Sequence, residues 1–208
     1  MLPILPRRRP VTENPFTEHT LESAPDAARR PLERIQRGFG YIPSAAARMA
    51  ASPQLLEGFQ RANALFEAGT LDPPAREVVV MTVATRNSCR LCVALHSARL
   101  AALDADPDLV ADLRARRPLG DARLEAVRVF TTEVLDRSGD VAQEALDAFF
   151  ARGFTPRQAL EVVLGVGTYT LSTLANRLTR APVDAQLAAR PTGAQEVSGG
   201  PCRAGAAS

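Results

Sequence analysis

Apolar residues recur at intervals of three and four along most of the chain, which is the pattern of amphipathic helices. Cap-forming residues, often a Ser, Thr or Asp followed by Pro, divide this pattern into segments. No credible pair of alternating strands is visible in the sequence. We therefore predict an all-α fold, a compact multi-helix bundle whose helices begin near Pro25, Ser44, Pro53, Pro73, Ser88, Pro107, Asp121, Val141 and Pro156.

Two of these segments carry apolar stripes that predict core-facing sides. The stripe of segment 53–68 consists of Leu55, Leu56, Phe59, Ala62, Leu65 and Phe66. In the last helix, which ends near Thr179, it consists of Leu160, Val163, Leu164, Leu171 and Leu174. Tyr169, Thr173 and Asn176 share another face of that helix. They could line a pocket, but we favour packing against a neighbouring subunit.

The segment after Asp72-Pro73 is apolar on nearly every side from Val78 to Ala84. A strand is the alternative, because short apolar runs cannot be assigned from their period alone. We prefer a helix because the cap signal is strong, and a helix of this composition is expected to be central. Glu77 lies within it, either as a functional acid or as an ordinary acid paired with Arg76 or Arg86.

The composition predicts one folded domain with extended ends. Residues 1–23, which include His19, form an extended N-terminal arm in this prediction; residues 24–185 form the helical domain. Residues 186–208 have the composition of a disordered tail, in which Cys202 would be an exposed thiol.

Charge and hydropathy argue against several classes of partner. The 25 basic residues are all Arg, and acids are interleaved with them to leave a net charge of +2, so no nucleic-acid partner is expected. No apolar run is long enough to span a membrane. The arginines follow the first apolar run, the reverse of a secretory signal, and we therefore expect a cytoplasmic protein.

The chemistry visible in the sequence is concentrated in Cys89, Cys92 and His96, with Glu77 on the preceding element. Spacings of three and four place both sulfurs and the imidazole on one face of a helix. With Ser88 as the N-cap, Cys89 would lie in the first turn, where the helix dipole lowers a thiol pKa. The imidazole and the acid could move a proton for these sulfurs. We interpret the group as a redox thiol site.

Two other interpretations of these residues remain open at this point. Two Cys, one His and one Glu are an acceptable zinc set, although crowding on one helical face is awkward for tetrahedral ligation. The cysteines could also be small core residues, and His96 a satisfied core histidine. A thioredoxin-like site is disfavoured because the strands that it requires are missing.

The spacing of Glu77, Cys89-Arg-Leu-Cys92 and His96 resembles the signature of the alkylhydroperoxidase D-like branch of the carboxymuconolactone decarboxylase family. The likeness extends over roughly residues 30–185. It includes Gly40-Tyr-Ile-Pro, Gly69-Thr-Leu-Asp72 and Gly153-Phe-Thr, which are similar to segments of that family's peroxidase-related members.

This resemblance implies an all-helical homo-trimer or homo-hexamer that reduces small organic hydroperoxides without a cofactor, using electrons from an external thiol or dithiol. Cys92 would attack the peroxide, Cys89, the more exposed, would resolve the sulfenic acid to a disulfide, and His96 and Glu77 would relay the proton. Helix-end physics instead favours Cys89 as the thiol of lower pKa. The alternatives are a decarboxylase or isomerase that uses only His96 and Glu77, and a non-enzymatic redox-sensing module.

Overall fold

The computed structural model describes residues 14–188, and all regular structure in that part of the chain is helical. The predicted all-α class is therefore confirmed for this part of the chain. The helices are α1 (Asp26–Phe39), α2 (Ser44–Met49), α3 (Pro53–Glu67), α4 (Pro73–Arg86), α5 (Arg90–Ala102), α6 (Pro107–Ala115), α7 (Ala122–Asp136), α8 (Gln143–Phe150), α9 (Pro156–Leu178) and α10 (Ala185–Ala188).

Helix α4 is the centre of the bundle and packs against α5, α7 and α9. It begins as the sequence predicts, with the Asp72 side chain accepting a hydrogen bond from the Ala75 amide and Pro73 in the first turn. Residues 77–84 are all buried. The strand alternative for this run is wrong, because the cap signal and burial on every side outweigh the β preference of its valines.

Helix α9 begins with a capping box, in which Thr155 and Gln158 bond each other's backbone amides. Its predicted core stripe is wrong at three of its five positions: Leu160 is 71% exposed, Leu174 is 55% exposed and Val163 is exposed as well, whereas Leu164 packs half-buried against the core. The side that faces the bundle carries small and polar residues instead, namely Ala159, Val162, Gly165, Thr168, Tyr169, Ser172, Thr173, Ala175 and Asn176.

Close packing explains why α9 turns this side inward. A Cβ at Gly165 would lie 2.6 Å from the Phe66 ring and 2.9 Å from Val79 Cγ1, so only glycine permits the approach of α9 to α3 and α4. A leucine stripe on that side would hold the helices further apart. On α3, Leu65 is likewise 66% exposed, although the sequence placed it in the core stripe.

The two ends of the described chain lie against the helical body. The amide of His19, in the predicted arm, donates to the Ala47 carbonyl, and the Asn14 side chain donates to the Thr179 carbonyl. At the other end, α10 extends past the predicted domain boundary at residue 185. The division into arm, domain and tail stays a prediction, and Cys202 lies outside the described residues.

Two local details differ from the predicted caps. Pro43 and not Ser44 is the N-cap of α2, so that Ser44 is the first helical residue. Ser88 adopts a φ of 52° in the turn after α4, and Cys89 is the N-cap of α5. Between residues 14 and 188, no helix has both the length and the hydropathy required to cross a bilayer.

Candidate active site

The two cysteines meet at the N-terminus of α5. Cys89 is the N-cap and Cys92 lies in the first turn, because the left-handed turn at Ser88 starts the helix one residue later than predicted. Both thiols are free, and their Sγ atoms are 2.8 Å apart, within hydrogen-bonding distance. Cys89 is 2% exposed and Cys92 is 4% exposed, so both thiols are almost completely buried and neither is an exposed resolving thiol.

Asn176, on the inward side of α9, completes the surroundings of the sulfur pair. Its Nδ2 lies 3.4 Å from Cys92 Sγ and 4.0 Å from Cys89 Sγ, and it donates to both. The predicted contact of Asn176 with a neighbouring subunit is wrong, because the residue is buried within its own chain. Tyr169 and Thr173 are also internal: Tyr169 donates to Asn63 Oδ1, and Thr173 accepts from Asn87.

The two thiols have opposite acidities. A hydrogen bond from Cys92 is the main cause that lowers the pKa of Cys89 to about 7; burial opposes it and the Asn176 amide assists it. The same bond, followed by burial, raises the pKa of Cys92. Of the two, Cys89 is therefore the thiol that ionises first, and its thiol and thiolate forms are both present near neutral pH. This is the thiol that helix-end physics favours, although the neighbouring sulfur is the larger cause.

Glu77 and His96 form a buried pair beside this sulfur site. The His96 Nδ1–H donates to Glu77 Oε2 at 2.6 Å, and both side chains are almost completely buried. The rings of His96 and Tyr169 pack edge to face, with their centroids 5.2 Å apart. Glu77 is thus not a surface acid, and the predicted meeting of the acid and the imidazole is observed. Within residues 14–188, neither sulfur shares a hydrogen bond with His96.

Arg99 is the cationic partner of Glu77, which sequence reasoning did not identify. Its Nε lies 3.2 Å from Glu77 Oε1, and its Nη2 donates to Glu67. The predicted alternatives, Arg76 and Arg86, pair with Glu67 and Asp136 instead. A spacing of three from His96 on α5 was the available signal, since it places Arg99 on the same helical face.

A cavity of about 240 Å³ opens beside the sulfurs. Cys92, His96, Tyr169 and Asn176 line it, so these four residues share a space that a small molecule could enter. Its other walls are largely apolar, from Ile35, Phe39, Met49, Leu56, Phe59, Leu91, Leu95 and Leu187. A second pocket, of about 290 Å³, lies at the outer side of the acid and is lined by Glu67, Arg76, Glu77 and Arg99.

The described side chains do not support the zinc alternative. In residues 14–188, no three His, Cys, Asp or Glu side chains are grouped so that they could hold a metal ion. Glu77 is instead directed to His96 and Arg99, while the two sulfurs bond to each other and to Asn176.

Sequence comparison finds that part of the chain is similar to a known family. Residues 53–131 match the model of the carboxymuconolactone decarboxylase family. This range includes α3 to α5 and therefore all four of the predicted site residues. A search of curated proteins gave no match.

Structural comparison shows the same fold in three solved proteins. An uncharacterized peroxidase-related protein with an alkylhydroperoxidase AhpD core from Ralstonia eutropha is 20% identical, with a TM-score of 0.73 over 86% of this chain and 96% of that chain. One from Silicibacter, also peroxidase-related, is 20% identical, with a TM-score of 0.71 and the same coverage. The debrominase Bmp8, in complex with 2,3,4-tribromopyrrole, is 14% identical, with a TM-score of 0.69, again over 86% and 96%.

These findings confirm the resemblance inferred from the spacing of the acid, the cysteines and the histidine. Residues 53–131 match the carboxymuconolactone decarboxylase family model, and the chain has the fold of alkylhydroperoxidase D-like, peroxidase-related proteins.

Proposed function

We propose that the protein is a thiol-dependent hydroperoxidase that reduces small organic hydroperoxides with electrons from an external thiol or dithiol. The observation that carries this proposal is the free thiol pair, with its sulfurs 2.8 Å apart, at the wall of an apolar cavity. Two thiols at this distance can close a disulfide after a small movement and can thus deliver two electrons.

Cys92 is the attacking sulfur in this mechanism, because it lines the cavity together with His96. The Cys89 thiolate accepts the Cys92 proton along the hydrogen bond between them as the Cys92 sulfur attacks the peroxide. Because the pKa of Cys89 is lowered and that of Cys92 is raised, this transfer is uphill and is completed only as the new sulfur–oxygen bond forms. The negative charge then lies on the sulfur that faces the substrate. Asn176 donates to both sulfurs and so stabilises the charge in either position.

The reaction then proceeds in three balanced steps. The Cys92 thiolate takes the terminal OH of the hydroperoxide, the O–O bond breaks, and the departing alkoxide takes a proton to become an alcohol, leaving a sulfenic acid on Cys92. Cys89 attacks that sulfur, and its proton leaves with the hydroxyl group as water while the disulfide forms. Two external thiol groups reduce this disulfide and become a disulfide themselves.

His96 is the proton donor to the departing alkoxide. Glu77 holds its Nδ1–H, so the proton that His96 donates is a second one, carried on Nε2. Arg99 is a positioning residue, since it holds the second oxygen of Glu77 and touches no reacting atom. Protons return through the second pocket, at the outer side of Glu77.

Turnover of an alkyl hydroperoxide with dithiothreitol as the electron donor tests the proposal. We expect turnover by the wild type and none by Cys92→Ser or Cys89→Ser. With one equivalent of peroxide, Cys89→Ser should accumulate a sulfenic acid that dimedone traps at Cys92, whereas Cys92→Ser should accumulate none. Trapping at Cys89 in the Cys92→Ser variant would reverse the roles of the two sulfurs.

The same assay distinguishes the two alternatives. A decarboxylase or isomerase that uses His96 and Glu77 would keep its activity when both cysteines are replaced. A redox-sensing module would form the disulfide with peroxide but would show no sustained turnover with any thiol.

Reductive debromination is a second candidate, favoured by the fold shared with the debrominase Bmp8 and by the apolar walls of the cavity. In that reaction two thiol groups would replace a carbon–bromine bond by carbon–hydrogen, releasing bromide and a proton and forming a disulfide. Bromide release from 2,3,4-tribromopyrrole, compared with hydroperoxide turnover at equal enzyme concentration, decides between the two reactions.

Assembly and location belong to the same proposal. We expect a homo-trimer or homo-hexamer in the cytoplasm, with no bound cofactor. The outward leucines of α9 are suitable for a subunit contact, because exposed apolar stripes often mark one. Sedimentation of the purified protein at micromolar concentration measures the assembly directly.

A further inference from the structure

A buried carboxyl group lies at the edge of the cavity, and the mechanism above does not use it. Asp184 is 8% exposed and sits just before α10, in the segment that follows the last long helix. It lines the cavity that also contains Cys92, His96 and Asn176. Leu187, on α10, lines the same cavity, so this short C-terminal segment forms one of its walls.

The two oxygens of Asp184 have different surroundings. Oδ1 accepts a hydrogen bond from the Ser44 amide at 3.1 Å, at the start of α2. Oδ2 is buried, and none of the described side chains or amides donates to it. A buried acceptor without a donor costs about 1–3 kcal/mol, more when it is charged. This oxygen therefore favours any cavity occupant that brings a donor.

A second acceptor in the cavity has the same need. Asn176 uses its Nδ2 on the sulfurs, and its Oδ1 is buried without a donor from residues 14–188. Of the described residues, Asp184 supplies the one carboxyl group that lines the cavity, and the one guanidinium, that of Arg99, is engaged by Glu77 and Glu67. Asp184 Oδ2 and Asn176 Oδ1 are thus two buried acceptors to which no described residue donates, and the remaining walls are largely apolar.

We propose that the cavity selects apolar, ring-sized molecules that carry an N–H or O–H donor, and that Asp184 Oδ2 accepts this donor. This inference rests on the proposed function because it takes the substrate to be a hydroperoxide. It adds that the apolar skeleton of this substrate carries a hydroxyl or ammonium group besides the peroxide. The two acceptors then assign the two ends of the substrate. The donor of the skeleton goes to Asp184, and the O–OH proton goes to Asn176 Oδ1, beside the Cys92 sulfur.

Binding of three fluorinated ring compounds without a peroxide tests this selection. para-Fluorobenzyl alcohol and para-fluorobenzylamine carry a donor, whereas para-fluoroanisole has a similar size and carries only an acceptor. Fluorine NMR titration of the wild type should give at least about 10-fold tighter binding of the better donor compound than of para-fluoroanisole. Equal binding of all three would show that water satisfies Asp184, and would overturn the proposal.

The Asp184→Asn variant sharpens the test. The Ser44 amide requires an acceptor, so the new amide must turn its oxygen to Ser44 and its NH₂ group into the cavity. We expect the donor preference to be lost, because the oxygen of para-fluorobenzyl alcohol and that of para-fluoroanisole can both accept from this NH₂ group. Asp26→Asn, at a side chain that is 92% exposed, is the matched control and should keep the wild-type order. A variant that keeps the donor preference contradicts the assignment to Asp184.

Two further features keep the experiment decisive. The Ser44 amide resonance of the wild type should shift when the donor compounds are added and should not shift with para-fluoroanisole. This measurement does not depend on the folding of any variant. If the donor compounds and para-fluoroanisole cause the same shift, the proposal is contradicted. Binding of these compounds requires no redox step, so failure of hydroperoxide turnover would leave the donor preference intact, and the two failures can be told apart.

Discussion

The inward faces of α4 and α9 are built from opposite kinds of residue, although these helices pack against each other. Residues 77–84 of α4 are buried on all sides and are mostly large and apolar, with Glu77 as the one ionisable group. On α9, Leu160, Leu174 and Leu178 lie outside, and glycine, threonine, serine, tyrosine and asparagine lie inside. The helix that looks more amphipathic in sequence is thus the one oriented against its leucine pattern.

The difference shows what each helix does for the site. Helix α4 supplies one acid, and its apolar surroundings direct that acid to His96 and Arg99. Helix α9 supplies polar contacts along its length, from Tyr169 beside the imidazole to Asn176 beside the sulfurs. A leucine stripe predicts the buried side of a helix that packs against an apolar core. It does not predict the buried side of a helix that borders a polar site, as α9 does.

The largest expected effect concerns the single acid of α4. Glu77→Gln removes the charge that holds His96 Nδ1–H and Arg99 Nε, so the alkoxide loses its oriented proton donor. We expect hydroperoxide turnover to fall by at least about 100-fold. Steady-state kinetics measure this, with Glu144→Gln, at an exposed position of α8, as the control. Wild-type turnover by Glu77→Gln would remove the acid from the mechanism.

The close approach of α9 to α4 gives the next prediction. In Gly165→Ala the new Cβ would lie 2.6 Å from the Phe66 ring, which is buried and cannot move aside. We expect the free energy of unfolding to fall by about 1–3 kcal/mol, despite the better helix propensity of alanine. Gly167→Ala is the matched control: no atom lies within 4 Å of its new Cβ, so it should stabilise the helix. Urea unfolding measures both.

A third prediction concerns the polar end of α9. Asn176→Leu removes the donor to both sulfurs, and because this donor lowers the pKa of Cys89, the pKa should rise above its value of about 7. The thiolate fraction at neutral pH then falls, so the pH profile of alkylation by iodoacetamide moves to higher pH. Thr173→Val, which changes a neighbouring polar residue bonded to Asn87, should leave the profile in place. An unchanged profile in Asn176→Leu would contradict this role.

The smallest expected effect compares the two sides of α9 directly. Val162 is fully buried, whereas Leu160 is 71% exposed. Val162→Ala should therefore lower the free energy of unfolding by about 1–2 kcal/mol and Leu160→Ala by less than about 0.5 kcal/mol. Urea unfolding at several protein concentrations separates this comparison from any effect on assembly. If Leu160→Ala lowers the free energy of unfolding more than Val162→Ala does at the lowest protein concentration, Leu160 must face the core, and the orientation described here is wrong.

The sequence by itself determined the helices and the core of the site. The proline-marked caps at Ser52, Asp72, Asp106 and Thr155 all lie where the sequence places them. The spacing of Glu77, the cysteines and His96 identified the thiol pair at the start of α5 and the acid–imidazole pair further along it. These features could be predicted because caps and i, i+4 contacts depend on residues only a few positions apart.

Only the tertiary structure decided which side of α9 is buried, which thiol lines the cavity, and which distant residues complete the site. Asn176 lies 84 residues from Cys92 in the sequence, and Asp184 lies 140 residues from Ser44, whose amide donates a hydrogen bond to it. No local sequence pattern therefore links either pair. The physical reason is that burial and hydrogen bonding are settled by the surfaces that meet. Close packing at Gly165 and the polar needs of the sulfur pair outweigh the preference of leucine for the interior.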